Sequence, residues 1–175
     1  MPNWCNNILT ITATDGSEVG KDIYQALIPD EALQAEDISQ YREEGWGQLV
    51  FTFSKVYPIP EKLVNTNGWY NWCIDNWGTK WDAACTYLNK NEPKILEFSY
   101  DTAWSPAEGF VKFISRAYPD LIFRNDFMET GNSFVGHITY CNGICIDDDE
   151  RGEITREDIT RFGYDADEWF ADEEE

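Results

Sequence analysis

Four consecutive carboxylates, Asp147, Asp148, Asp149 and Glu150, open the stretch of this sequence with the most chemical potential. Glu153, Glu157, Asp158, Asp165, Asp167 and Glu168 continue it, and between Asp147 and Glu175 14 acids stand against Arg151, Arg156 and Arg161 alone. Carboxylates at that density serve as a solvated tail, as a surface shaped for a basic partner or, where their oxygens converge, as a cation cage. Asp147, Asp149, Gly152, Ile154, Thr155 and Asp158 do fall at positions 1, 3, 6, 8, 9 and 12 of a calcium-loop pattern. Arg151, however, puts a cation where position 5 should offer an oxygen, and the residues before Asp147 read as a hairpin rather than an entering helix. A solvated acidic turn is the expectation for Asp147 to Asp158.

His137, Cys141 and Cys145 are three metal-compatible side chains spaced by four. With Asn142-Gly143 as a two-residue turn, Cys141 would lie across from Ile144, and the pleat would send Cys141 and Cys145 to opposite faces. Ordinary strand packing is expected there, and neither a metal nor a cofactor is assigned. A single histidine leaves little room for the commonest general base, and the sequence holds no Ser-His-Asp, Cys-His or phosphate-cradling glycine pattern. Asp147 to Glu150, or Asp126 with Glu129, could serve a hydrolase as paired carboxylates, yet acids this abundant pair by chance. The block from Trp69 to Asp82 could stack bases at about 1–3 kcal/mol each. Its near-solitary cation, Lys80, stands among Asp75 and Asp82, so core packing is the reading. Asn3, Asn6, Asn71 and Asn76 are expected as buried amides that bond strand ends or turns.

The chain as a whole bounds these readings. At 175 residues it fits one core, and its 42% hydrophobic and 15% aromatic content is that of a folded body despite a net charge of -20. The acidic balance extends upstream of Asp147, where 19 acids oppose 10 bases, so bare nucleic acid or an anionic membrane would be repelled. Cys5, Cys73, Cys85, Cys141 and Cys145 form an odd set, expected as reduced thiols. With no charged-then-apolar leader and no apolar run of about 18 residues, a soluble, cytosolic protein is expected.

Hydropathy periods place these residues on elements. Asn7 to Thr14 alternates as a strand, and a helix with Ser17 as N-cap is expected through Val19, Ile23, Ala26 and Leu27 to Pro29. Leu49 to Val56 alternates again, after the polar stretch that ends at Gly47, and a helix follows from Glu61, broken near Asn67-Gly68. Trp69, Trp72, Cys73 and Trp77 then give one helical face an aromatic surface, with Gly78 as its C-terminal cap. Trp81 to Leu88 and Ile95 to Tyr100 read as a hairpin. Ser105, Pro106 and Glu108 spell a capping box before the helix through Phe110, Phe113 and Ile114. Leu121 to Met128 and Phe134 to Cys141 are strands, and Asn142-Gly143 turns Ile144 to Ile146 back antiparallel. Short helices are expected near Thr155 and Asp165, with Phe162, Tyr164, Trp169 and Phe170 docking on the body or on a partner, and Asp172 to Glu175 fraying. The pattern predicts an α+β fold, an antiparallel or mixed sheet with helices on one face and short acidic C-terminal helices.

Met1 to Asn7 (MPNWCNN), Trp69 to Asp82 (WYNWCIDNWGTKWD), Thr102 to Pro106 (TAWSP) and Glu129 to Gly136 (ETGNSFVG) resemble blocks of the YubB-type ferredoxin-like family of phage and plasmid proteins. The resemblance implies a ferredoxin-like domain over residues 1–146 and a mobile-element origin, and it carries no established activity or catalytic residues. The insert from Gln34 to Gly47 and the acidic extension 147–175 lie outside those blocks.

The functional expectation is a non-enzymatic acidic protein that occupies a basic, nucleic-acid-binding surface of a host defence or DNA-handling protein, as a nucleic-acid-mimicking inhibitor of the anti-CRISPR or anti-restriction kind. Asp147, Asp148, Asp149, Glu150, Glu153, Glu157, Asp158, Asp165, Asp167, Glu168 and Trp169 are its candidate partner-binding residues. The competing reading is a small-ligand or metal-binding enzyme using the tryptophan-rich face and nearby acids. A merely solubilised accessory domain is the third.

Overall fold

The computed structural model describes residues 3–30, 42–43, 47–48 and 50–171. Along the chain run β1 (Trp4–Ala13), α1 (Lys21–Leu27), β2 (Arg42–Glu43), β3 (Gly47–Gln48), α2 (Glu61–Val64), α3 (Gly68–Trp77), β4 (Ala84–Glu92) and β5 (Ile95–Ala103). Then follow α4 (Glu108–Ala117), β6 (Leu121–Glu129), β7 (Phe134–Cys141), β8 (Ile144–Arg151), α5 (Arg156–Arg161) and α6 (Ala166–Trp169). Six strands form one sheet in the order β4-β5-β1-β6-β7-β8, with every neighbouring pair antiparallel. β1, β4, β5 and β6, with α1 to α3 and α4 as crossovers, make the interleaved βαββαβ arrangement of a ferredoxin-like fold, and β7 and β8 extend it at the β6 edge. Most of the insert from Gln34 to Gly47, and Asp172 to Glu175, lie outside the described residues.

Alternation along the central strands decides which face becomes the core. Leu9 and Ile11 of β1, Leu96, Phe98 and Tyr100 of β5, and Phe123 and Phe127 of β6 are buried against Ile23, Cys73, Trp77, Phe110 and Ile114 from α1, α3 and α4. The longer helices therefore share one face, and α5 and α6 lie on the other. The core also holds a polar string. Tyr100 Oη donates to Asn125 Oδ1 at 2.9 Å, Asn125 Nδ2 to Asn7 Oδ1 at 2.9 Å, and Asn7 Nδ2 to Thr102 Oγ1 at 2.9 Å. Each of these four residues is at most 1% exposed, so every bond is made where water cannot replace it. Tyr100→Phe leaves Asn125 Oδ1 without its donor at a cost of about 1–3 kcal/mol. Thermal unfolding should show this as a melting point lower by about 2–12 °C.

Several local readings change. Where a strand is expected over Leu49 to Val56, the described residues from Val50 onward form an irregular plug: Phe51 stacks on Phe98 at 5.2 Å and Phe53 on Phe110 at 4.4 Å. Four of its amides go to side chains instead of a ladder. Val50 and Phe51 donate to Thr86 Oγ1, and Phe53 and Ser54 donate to the Asp82 carboxylate. Burial pushes the Asp82 carboxyl above its ordinary value, although these donors and the Ala83 amide act against that rise.

The first helix begins at Lys21 rather than at Ser17, whose amide is taken by Asp15 Oδ1 at 2.9 Å. The capping box expected at Ser105 does not form either. Ser105 Oγ reaches back to the Gly78 carbonyl at 2.7 Å, and Glu108 accepts from Tyr140 Oη at 2.6 Å. In both halves of that motif a tertiary partner, an acceptor for Ser105 and a donor for Glu108, replaced the local backbone amide.

Candidate functional site

Asn142 and Gly143, at φ 50° and 74°, make the left-handed turn that a tight hairpin needs, and they start β8 alongside β7. The strand continues to Arg151, well past the three residues expected of it, because each residue of the acidic run has a β7 partner: Thr139↔Asp147, Ile138↔Asp148, His137↔Asp149 and Gly136↔Glu150. A run of weak strand formers is thus held by the ladder of its neighbour. Every β8 residue is exposed, as befits the last strand of the sheet. The hydrogen-bonded sheet continues across the boundary between residues 146 and 147.

The pleat divides the four carboxylates. Asp148 and Glu150 stand on the face that carries α4, opposite Ile138 and Gly136, while Asp147 and Asp149 stand on the other face beside His137. Asp147 Oδ2 lies 2.8 Å from His137 Nε2 and 3.4 Å from Arg124 Nη1. Along the edge, Asp148, Asp149 and Glu150 have no ion pair among the described residues.

Downstream, Thr155 and Asp158 form the reciprocal capping box that the sequence announces: Thr155 N donates to Asp158 Oδ2 at 2.7 Å and Asp158 N to Thr155 Oγ1 at 3.4 Å. Arg151 Nη2 donates to both oxygens of the same carboxylate at 2.7 Å. Below it Ile159 is fully buried on Met128 and Val135, with Ile154, Phe162, Ala166 and Phe170 around them. Phe162 and Phe170 dock on the body and Tyr164 bonds Asn6, as expected, whereas Trp169 stays exposed beside Tyr164. Asp165 caps α6 through the amides of Asp167 and Glu168, and Asp167 pairs with Arg156. Of the eleven candidate residues, Asp147, Asp158, Asp165 and Asp167 are therefore engaged within the chain. Asp148, Asp149, Glu150, Glu153, Glu157, Glu168 and Trp169 face solvent.

Burial raises the Asp158 carboxyl, but its bonds from Arg151 and Thr155 outweigh this and hold it below the ordinary aspartate value. The folded state then binds its proton less readily than the unfolded state. Its stabilisation is complete above about pH 4 and disappears as the pH falls through the lowered folded value. Asp158→Asn should cost about 1 kcal/mol at neutral pH and flatten the acid limb of a melting point against pH curve.

The acidic turn expected between Asp147 and Asp158 is a strand followed by a capped helix. Asp147 and Asp149 sit on an extended backbone and Asp158 is held by Arg151, so the oxygens of the calcium-loop pattern do not converge. Cys141 and Cys145 fall on opposite faces, opposite Ile144 and Tyr140. Among the described residues no group of three or more His, Cys, Asp or Glu is placed to hold a metal ion. Asp126 and Glu129 do not act together. Asp126 is paired with Arg124 and Arg161, while the buried Glu129 accepts from the Gly131 and Asn132 amides to close the β6–β7 turn.

In the tryptophan block Trp77 is buried, Trp69 and Trp72 are partly so, and Gly78 ends α3 at φ 86°. Lys80 lies 4.4 Å from the Trp81 ring and 5.7 Å from that of Tyr70. Asn76 bonds Tyr57 and the Trp72 carbonyl, but Asn71 is exposed rather than buried. One polar cluster joins residues that the sequence names only separately, Asn6 and Tyr164, to one it does not, Asp101. Asn6 of β1, Asp101 of β5 and Tyr164 of the extension meet across the second face of the sheet, through bonds of 2.7 and 3.2 Å. The alternation Glu97, Ser99, Asp101 along β5 was the sequence signal for its third member.

No helix among the described residues is long and apolar enough to cross a membrane. A family model described as the ferredoxin-like domain in Api92-like protein matches residues 77–168, just over half of the chain. The crystal structure of protein Api92 from Yersinia pseudotuberculosis is similar in fold, with a TM-score of 0.55 and 12% sequence identity over 89% of this chain and 100% of that one. No curated protein matches the sequence. The YubB-type resemblance is overturned by the family match. The mobile-element origin that came with it loses its support.

Proposed function

The chain belongs to the family of Api92-like proteins with a ferredoxin-like domain, and on that fold we propose a non-enzymatic binding protein of the cytosol. Its anionic sheet edge occupies a basic, nucleic-acid-binding surface of a DNA-handling protein, acting as an inhibitor that mimics nucleic acid. The observation that carries this reading is the charge spacing on β8. An antiparallel strand rises about 3.4 Å per residue, so along the strand axis Asp147 to Glu150 carry one carboxylate per about 3.4 Å, alternating between the two faces and with Asp147 partly offset by Arg124, close to the charge per length of one strand of B-DNA. The register with β7 holds the backbone that bears these charges extended before any partner arrives, so little backbone ordering entropy is lost on binding.

Glu153, Glu157 and Glu168 widen the anionic surface from the docked segment. Their summed field steers a basic cleft toward the edge and speeds association at low salt. The test is capture of proteins from a bacterial lysate on the immobilised chain at low and high salt, with elution by duplex DNA. Asp148→Asn/Asp149→Asn/Glu150→Gln serves as the control, because truncation at residue 146 would strip Ile159 from Met128 and Val135 and damage the fold itself. Partners released by DNA from the wild type and absent from the control support the reading. Identical captured sets refute it.

A further inference from the structure

On the sheet face that carries α5, the segment Arg161 to Tyr164 stands off from β4 and leaves a groove of about 560 Å³. Its floor is the alternate row of β5, Glu97, Ser99 and Asp101, beside Asn6 and Ile8 of β1, and its rims carry Tyr87 and Tyr164. The two ends of that floor differ electrically. Glu97 is buried and met by Lys90 Nζ at 3.2 Å, Arg161 Nη2 at 3.8 Å and Thr10 Oγ1 at 3.2 Å. Arg161 is also held by Asp126 at 3.1 Å. Asp101 receives Asn6 Nδ2 at 2.7 Å and the Cys85 thiol, both neutral, and no cation pairs with it among the described residues. Burial pushes its carboxyl above the ordinary value, the mark of a desolvated charge without a counter-ion.

We propose that this groove is a slot for an arginine side chain of the basic partner, with the Asp101 carboxylate accepting the guanidinium. Further acceptors line the way in: Asn6 Oδ1, which takes the Tyr164 hydroxyl, and Asn89 Oδ1, which takes Ser99 Oγ. Tyr87 and Tyr164, 46% and 43% exposed, offer ring faces to a planar cation. An ammonium is a point charge and would use neither the fork of acceptors nor the rings as fully. The source of the arginine rests on the reading of a basic partner, whereas the chemistry of the slot stands on its own residues.

Titrating the full chain by amide NMR with N-acetyl-arginine amide, free arginine and N-acetyl-lysine amide at constant ionic strength separates these points. Capped arginine should give saturable shifts at Asn6, Ser99 and Asp101, and bind at least tenfold more tightly than capped lysine. Asp101→Asn, which keeps an acceptor for Asn6, should weaken it at least tenfold, and the rim variant Tyr87→Ala severalfold. Asp148→Asn/Asp149→Asn/Glu150→Gln should bind it as the wild type does, so failure of the edge reading and failure of the slot are distinguishable. Absent or unsaturable shifts, or equal binding by Asp101→Asn, overturn the slot. Equal binding of capped lysine overturns its guanidinium preference, and tighter binding of free than of capped arginine assigns it to a small metabolite rather than to a partner.

Discussion

Gly136→Ala should lower the melting point by about 6–12 °C and abolish partner binding together. A Cβ at position 136 would lie 2.1 Å from the Asp149 carbonyl oxygen and 2.9 Å from Glu150 Cα, closer than side-chain carbons approach backbone. Backbone cannot swing aside as a flexible side chain does, so β7 and β8 must separate at the pair Gly136↔Glu150. Overpacking of this kind costs about 3 kcal/mol, and for a chain of this size each kilocalorie is worth about 2–4 °C. The consequence travels down the chain, because β8 leads into α5 and Ile159 seals Met128 and Val135. Gly152→Ala is the matched control: its added carbon meets only Ser133 O, at an ordinary 3.6 Å, and should leave both melting and binding within error. Loss of binding without loss of stability would mean that position 136 touches the partner directly.

Neutralising Asp148, Asp149 and Glu150 as Asn, Asn and Gln should weaken partner binding on the order of a hundredfold at low salt, with most of the loss in the association rate. The three side chains keep their size, and none has an internal ion pair among the described residues, so packing is untouched. The wild-type chain carries -20, and relieving its self-repulsion should leave the variant as stable or slightly more stable. The difference should shrink as salt rises and the screening length falls from about 10 Å at 0.1 M to about 3 Å at 1 M. Stopped-flow association at several salt concentrations measures both effects. An unchanged association rate would remove β8 from the binding surface.

What could be read from sequence was what is decided within a few residues. Asn142-Gly143 forces its own turn, and Thr155 with Asp158 forms its own cap, so both features survive folding unchanged. The period-two patterns of β1, β6 and β7 were legible because one face of each is buried on the same core. Residues whose partners lie far along the chain misled. Ser105 looked like an N-cap until Gly78 offered it a carbonyl, and Phe51 with Phe53 looked like a strand until Thr86 and Asp82 took their amides. The acidic run looked like a turn because aspartate is a weak strand former, yet β7 supplies the ladder that propensity withholds.

The family resemblance failed for a related reason. The blocks that carried it hold scaffold residues: Trp77 in the core, Asp82 under the aromatic plug, Asn7 in the polar string and Glu129 in a turn. Such residues serve the fold and report on it, while the acidic edge and the Asp101 groove lie mostly outside them. At residue 146 the charge composition changes while the hydrogen-bonded ladder between β7 and β8 continues.

Fluorescence anisotropy of labelled duplex DNA bound to a partner captured by the chain tests the central claim most directly. Adding the wild-type chain should release the DNA in a saturable, salt-sensitive way, and Asp148→Asn/Asp149→Asn/Glu150→Gln should need on the order of a hundredfold more protein to do so. Release by the neutralised variant at the same concentration as the wild type, or no release by either, would contradict the account.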